Sequence, residues 1–186
     1  MAEDKNQKIN FPSSVPRPSS SVFRHLLFWP IFGAGLILDL WSKYAVFEWL
    51  KKRGQDGFAI IDGFLRLQLA ENPGAAFGMA AGHRWQLVTV SVIAIVVVLA
   101  VFIFGGTERK IVLVALAFFA AGVCGNLYDR LFNGGFVRDF IDVVYWPGCH
   151  WPAFNVADSM LCMAVGLLLL SSFCFPRRSS CSRVTR

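Results

Sequence analysis

Residues 85–104, WQLVTVSVIAIVVVLAVFIF, contain no Asp, Glu, Lys, Arg or His. As a helix rising 1.5 Å per residue, this run is long enough to cross the roughly 30 Å hydrocarbon core of a bilayer. Working outward, three further apolar runs of similar reach lie at Leu26–Leu50, Ile111–Tyr128 and Trp151–Phe175. The chain of 186 residues is 55% hydrophobic with a positive mean hydropathy. That is more apolar surface than one soluble core of this size can bury, so lipid is the expected solvent. The fold class that follows is an α-helical integral membrane protein. It has four transmembrane helices (26–50, 85–104, 111–128 and 151–175) in one domain over 26–175, with a small extracytoplasmic β-hairpin or sheet element.

The flanks read differently. Residues 1–25 are polar, carry Pro12, Pro16 and Pro18 and the run Ser19, Ser20, Ser21, and are expected to form a disordered cytoplasmic tail. Residues 176–186 form a basic cytoplasmic tail. The apolar stretch after residue 25 continues through Trp41 and Tyr44 with no small-residue cleavage site, which makes it an uncleaved first span. With four spans, both termini share a side with the turn between the second and third spans. That side has ten Lys and Arg residues: four in residues 1–25, Arg109 and Lys110, and four in residues 177–186. The other side has seven: Lys51, Lys52, Arg53, Arg66, Arg84, Arg130 and Arg138. The excess predicts cytoplasmic termini. The net charge of +6 is dispersed between apolar runs, a pattern that speaks for membrane orientation and against nucleic-acid binding.

Between the first two spans, Phe58–Ile61 and Phe64–Leu69 flank Asp62-Gly63, a turn dipeptide suited to a hairpin. Leu65, Leu67 and Leu69 alternate with Arg66 and Gln68, giving one apolar face. A second extended stretch, Phe136–Tyr145, follows the turn Asn133-Gly134-Gly135. In the third span Ala117, Ala121 and Gly125 recur every fourth residue, a stripe read as close helix packing. The five cysteines form no C-x-x-C pair, and neither a disulfide framework nor a metal site is expected. Cys149 and His150 are read as ordinary loop neighbours, because adjacent residues in an extended loop point to opposite sides.

Alternation of the spans brings the end of the first helix, the long loop, the end of the third helix and the start of the fourth to one face. Asp39, Lys43, Asn72, Asn126, Asp129, Arg130, Asp139, Asp142, Asn155 and Asp158 collect there. Ionisable groups inside apolar runs are costly unless they face protein or water, so this concentration marks a site. Asp158, about seven residues into the fourth run, is expected roughly 10 Å below the helix start. A second carboxylate beside it would let the pair share a proton, with one acting as general base on water and the other donating to a carbonyl oxygen. Asp129, Asp139 and Asp142 are all available as the partner. Such chemistry needs neither cofactor, metal nor a nucleophilic side chain.

The runs DLWSK (39–43), ENPGAAFG (71–78), GNLYDRLFNGGFVRDFID (125–142) and FNVADS (154–159) resemble, in order, the signature motifs of the lipoprotein signal peptidases, signal peptidase II. The resemblance implies an aspartic endopeptidase of the bacterial inner membrane with its active site near the extracytoplasmic face. Its substrate would be a prolipoprotein, cut just before a diacylglyceryl-modified cysteine. By motif, Asp139 and Asp158 become the catalytic pair, flanked by Asn126 and Asn155. These two asparagines, with Asn72 and Arg130, form the substrate-binding set. Asp39, Lys43 and Asp129 are supporting groups, with Asp39 and Lys43 paired along one helix face and Asp129 beside Arg130; Asp142 supports the loop. Membrane lipid and cyclic-peptide inhibitors are the other implied partners. One departure stands out: this chain has one residue more than the family spacing at Asn133-Gly134-Gly135. A proton-coupled transporter is the rival class, but it would need polar groups through the depth of the bundle, and the second span has no ionisable residue. A noncatalytic relative would keep the pocket and lack turnover; both aspartates are present here.

Overall fold

The computed structural model describes residues 20–74 and 81–174. Most of the expected N-terminal tail and all of the C-terminal one lie outside them. Four helices follow the four apolar runs: α1 (Ser20–Arg53), α2 (Arg84–Phe104), α3 (Lys110–Phe132) and α4 (Val156–Cys174). Each is long and apolar enough to cross a membrane. α1 begins six residues before the expected span and α3 runs four residues past it, to Phe132. α3 is the hub, packed on α1, α2 and α4, and it is the most buried of the four.

Lipid tails are as apolar as leucine, so helices here are held by close packing rather than by escape from water. The small-residue stripe supplies it. Ala117 and Ala121 are wholly buried, and a side chain at Gly125 would run into the Asp39 carboxylate of α1. Next to the stripe, a Cβ on Gly122 would sit 2.6 Å from the Ala157 carbonyl of α4. At the opposite end of the bundle, Phe28, Val98, Phe102, Leu113, Leu116, Ala117 and Ala120 form an apolar cluster, with Phe28 and Phe102 stacked at 4.1 Å. There the Arg24 guanidinium donates to the Phe102 carbonyl, satisfying one of the open acceptors in the last turn of α2.

The two extended regions form one antiparallel sheet in the order β1 (Gly57–Ile61), β2 (Leu65–Asn72), β3 (Val137–Trp146), β4 (Cys149–His150). The Asp62-Gly63 turn is where expected, with Gly63 at φ 72°, a conformation glycine adopts without strain. β2 and β3 join the two loops, pairing Ala70 with Asp139 and Asn72 with Val137.

The fourth span differs from expectation. Trp151–Asn155 is extended: Phe154 pairs with Ile141 across to β3, and its carbonyl accepts from the backbone N–H of both Phe140 and Ile141. An apolar run ahead of a helix reads the same in sequence whether it is coiled or extended, and here the edge of β3 claims it. Asp158 therefore lies in the first turn of α4, not 10 Å below its start.

Candidate active site

The site grows out of the start of α4. Asn155 accepts from the Asp158 N–H at 3.0 Å through its side-chain oxygen, and Asp158 accepts from the Asn155 N–H at 3.2 Å. This reciprocal cap satisfies two of the open donors at a helix N-terminus and fixes both side chains. A third donor, the Ala157 N–H, is taken at 2.8 Å by Asp39 from α1. FNVAD is thus a helix start whose polar residues are already oriented before any substrate arrives.

Behind the cap lies a chain of buried charges. Lys43 Nζ is 2.7 Å from Asp39, the expected pair one turn apart, and 3.3 Å from Asp129 on α3; all three side chains are wholly buried. Lys43 also donates to Asn126 Oδ1 at 3.0 Å, and Asn126 Nδ2 donates to Asp158 at 2.8 Å. The supporting groups expected from sequence are all in this chain. Asp129, however, pairs with Lys43 and Arg138, not with the neighbouring Arg130, because adjacent helix residues face different directions. Arg130 instead donates to the carbonyls of Gly74 (2.9 Å) and Asn126 (3.3 Å).

Asp139 reaches the same place from β3. It is 2% exposed and accepts from Asn155 Nδ2 at 2.6 Å and Asn72 Nδ2 at 3.1 Å. The Asn72 oxygen is itself held by the Gly74 N–H at 2.9 Å, which aims the amide at Asp139. Burial, and then the negative charge of Asp158, push the Asp139 carboxyl up from 3.8 to about 7, against the lowering effect of the two asparagines and Lys43. Asp139 and Asp158 open together onto a cavity of about 1030 Å³ with Asn72, Asn126 and Arg130 on its wall and apolar surface from Trp151, Phe154 and Leu161. Two carboxylates at one cavity, one of them protonated near neutrality, can activate a water and polarise a carbonyl without any covalent intermediate.

Of the three candidate partners for Asp158, Asp139 is the one that shares its cavity. Asp142 is on strand β3, not in a loop, 1% exposed and paired with His150 Nδ1 at 2.8 Å. His150 and Cys149 are correspondingly strand residues and not ordinary loop neighbours. The Asp142–His150 pair and the Arg138–Asp129 pair carry no local sequence signal, since each depends on a tertiary approach. Among the described residues no group of three or more His, Cys, Asp or Glu side chains is arranged to hold a metal ion.

The model of the Signal peptidase (SPase) II family matches residues 31–174, which takes in every group of this cluster. The chain belongs to the signal peptidase II family. Relatives named lipoprotein signal peptidase include those of Rhodopirellula baltica, 35% identical over 89% of this chain and 83% of that one, and of Serratia proteamaculans, 38% identical over 78% and 85%. A bacterial membrane enzyme solved by the in meso method superposes with a TM-score of 0.70 at 27% identity, over 84% of this chain and 93% of that one. A second such enzyme gives 0.65 at 29% identity, over 76% and 89%. As a signal peptidase II, the chain is a bacterial membrane protein and a protease.

Proposed function

We propose that Asp139 and Asp158 are the catalytic dyad of a signal peptidase II that cleaves prolipoproteins just before a diacylglyceryl-modified cysteine. Signal-peptide removal from prolipoproteins follows from the family. The observation that carries the dyad is the meeting of two carboxylates from β3 and α4 at one cavity, with Asp139 held up to about 7. In this reading Asp139 keeps the shared proton and donates it to the scissile carbonyl oxygen. Asp158 accepts from Asn126 and from the Asn155 N–H at the positive end of α4, which suits it to take the proton from water. Asn126 and Asn155 orient the pair, while Asn72 and Arg130 line the wall where the peptide backbone would lie.

The site sits where the helix ends meet the sheet, and its apolar wall suits a helical signal peptide and acyl chains arriving from the bilayer. Together with the Lys and Arg distribution, this supports a cytoplasmic-membrane enzyme with cytoplasmic termini and an extracytoplasmic active site, in a membrane domain over 26–175 between polar tails. Cyclic-peptide inhibitors would compete for the same cleft. The test is cleavage of a diacylglyceryl-modified prolipoprotein by purified protein in detergent, with Asp139→Asn and Asp158→Asn at matched folding. Cleavage before the lipidated cysteine by wild type, and at least a roughly 10³-fold loss in both variants, supports the dyad. Binding without cleavage by wild type makes the chain a noncatalytic relative.

A further inference from the structure

Arg138 immediately precedes Asp139, and its side chain, 18% exposed, turns away from the cavity onto α3. Its Nη2 and Nε nitrogens lie 2.6 Å and 3.1 Å from Asp129 Oδ1, and its backbone N–H donates to Asp129 Oδ2 at 3.0 Å. Its carbonyl accepts from Asn155 Nδ2 at 3.3 Å, the same amide that holds Asp139. The residue before Asp139 is therefore clasped on both backbone sides and through its side chain.

The charges give this clasp a second consequence. Asp39, Lys43, Asp129 and Arg138 form a quartet with two charges of each sign, and three of its members are wholly buried. With Arg138 compensating Asp129, Lys43 can be shared with Asn126, whose amide orients Asp158. Without the guanidinium, Lys43 alone faces two buried carboxylates. The stronger attraction in a low-dielectric interior then draws it toward Asp129 and away from the neutral amide. We propose that Arg138 is a positioning residue that sets both aspartates of the dyad, Asp139 through the strand it anchors and Asp158 through the Lys43–Asn126 relay. The proposal rests on the reading of Asp139 and Asp158 as the dyad.

Lysine keeps the charge but not the clasp, because it brings a single flexible ammonium to Asp129 Oδ1, where the planar guanidinium holds two N–H donors in a fixed geometry. The test compares wild type, Arg138→Lys and Arg138→Met for kcat, KM and thermal unfolding, with a diacylglyceryl-modified prolipoprotein in detergent. Because an error of about 1 Å in a reacting group costs on the order of 100-fold, Arg138→Met is expected to lose roughly 10-fold or more in kcat with KM within about two-fold. Arg138→Lys is expected to recover part of that loss by restoring the charge. Wild-type kcat in Arg138→Met, or a loss carried by KM alone, overturns the proposal. If Arg138→Met does not fold, Arg138→Lys decides: reduced kcat at unchanged KM supports the proposal and wild-type kcat overturns it. An inactive wild type would instead remove the dyad reading on which the proposal rests.

Discussion

The two ends of the bundle are built from opposite materials. Around Phe28, Phe102 and Leu113 the helices meet through apolar and aromatic side chains, with the half-buried Arg24 guanidinium reaching in to the Phe102 carbonyl. At the other end Asp39, Lys43, Asn126, Asp129, Asn155 and Asp139 are buried among one another. The first end relies on packing, where swaps that keep volume and polarity cost little. The second is a closed set of hydrogen bonds and ion pairs, in which each member satisfies another and the loss of one strands its partners in a dry interior. The same hub helix, α3, serves both ends, with Leu113, Ala117 and Ala120 toward one and Gly125, Asn126 and Asp129 toward the other.

Lys43→Met breaks the contrast most directly. It leaves Asp39 and Asp129 buried without their shared cation and is expected to cost about 3–5 kcal/mol by thermal unfolding in detergent. A cost below about 1 kcal/mol would mean that the polar end is not a closed network. Gly125→Ala comes next: its Cβ would lie 3.0 Å from Asp39 Cγ, and Asp39 is already committed to Lys43 and Ala157. The expected loss is about 1–3 kcal/mol, whereas Gly33→Ala in α1, with nothing within 4 Å, is neutral or stabilising by up to about 1 kcal/mol. Equal effects at the two glycines would remove the close approach from the account. The smallest effect belongs to α2, where Val96 is largely exposed on the helix surface; Val96→Leu is expected to change unfolding by less than about 0.5 kcal/mol.

What could be read from the sequence follows the same division. The four spans were legible because twenty-odd apolar residues have few other uses, and the site was legible because ionisable groups gathered at one end of those spans. The pair Asp39 and Lys43 lies within one helix and follows from spacing. Contacts between elements did not follow from spacing. The joining of β2 to β3 and the engagement of Asp129 by Arg138 and of Asp142 by His150 depend on where separate elements come to rest. The start of α4 was misplaced by five residues because Trp151–Asn155 is apolar enough for a helix, and only its pairing with β3 keeps it extended. The selection of Asp139 from three candidate aspartates came from motif resemblance, and the cavity it shares with Asp158 gives a geometric reason for the same choice.

The central claim is that a buried aspartate, Asp139, and a half-buried one, Asp158, work with one proton between them. The most direct measurement is kcat/KM for cleavage of a diacylglyceryl-modified prolipoprotein as a function of pH, with folding checked at each point. Burial and the charge of Asp158 raise Asp139 from 3.8 to about 7, so the shared proton is retained below that value and lost above it. kcat/KM is expected to fall on the alkaline side with a midpoint near 7, and thermal stability to decline as the pH rises through the same value, since the raised carboxyl favours the folded state only while protonated. A rate that stays level or climbs from about pH 6 to about pH 9, in protein that remains folded, would contradict it.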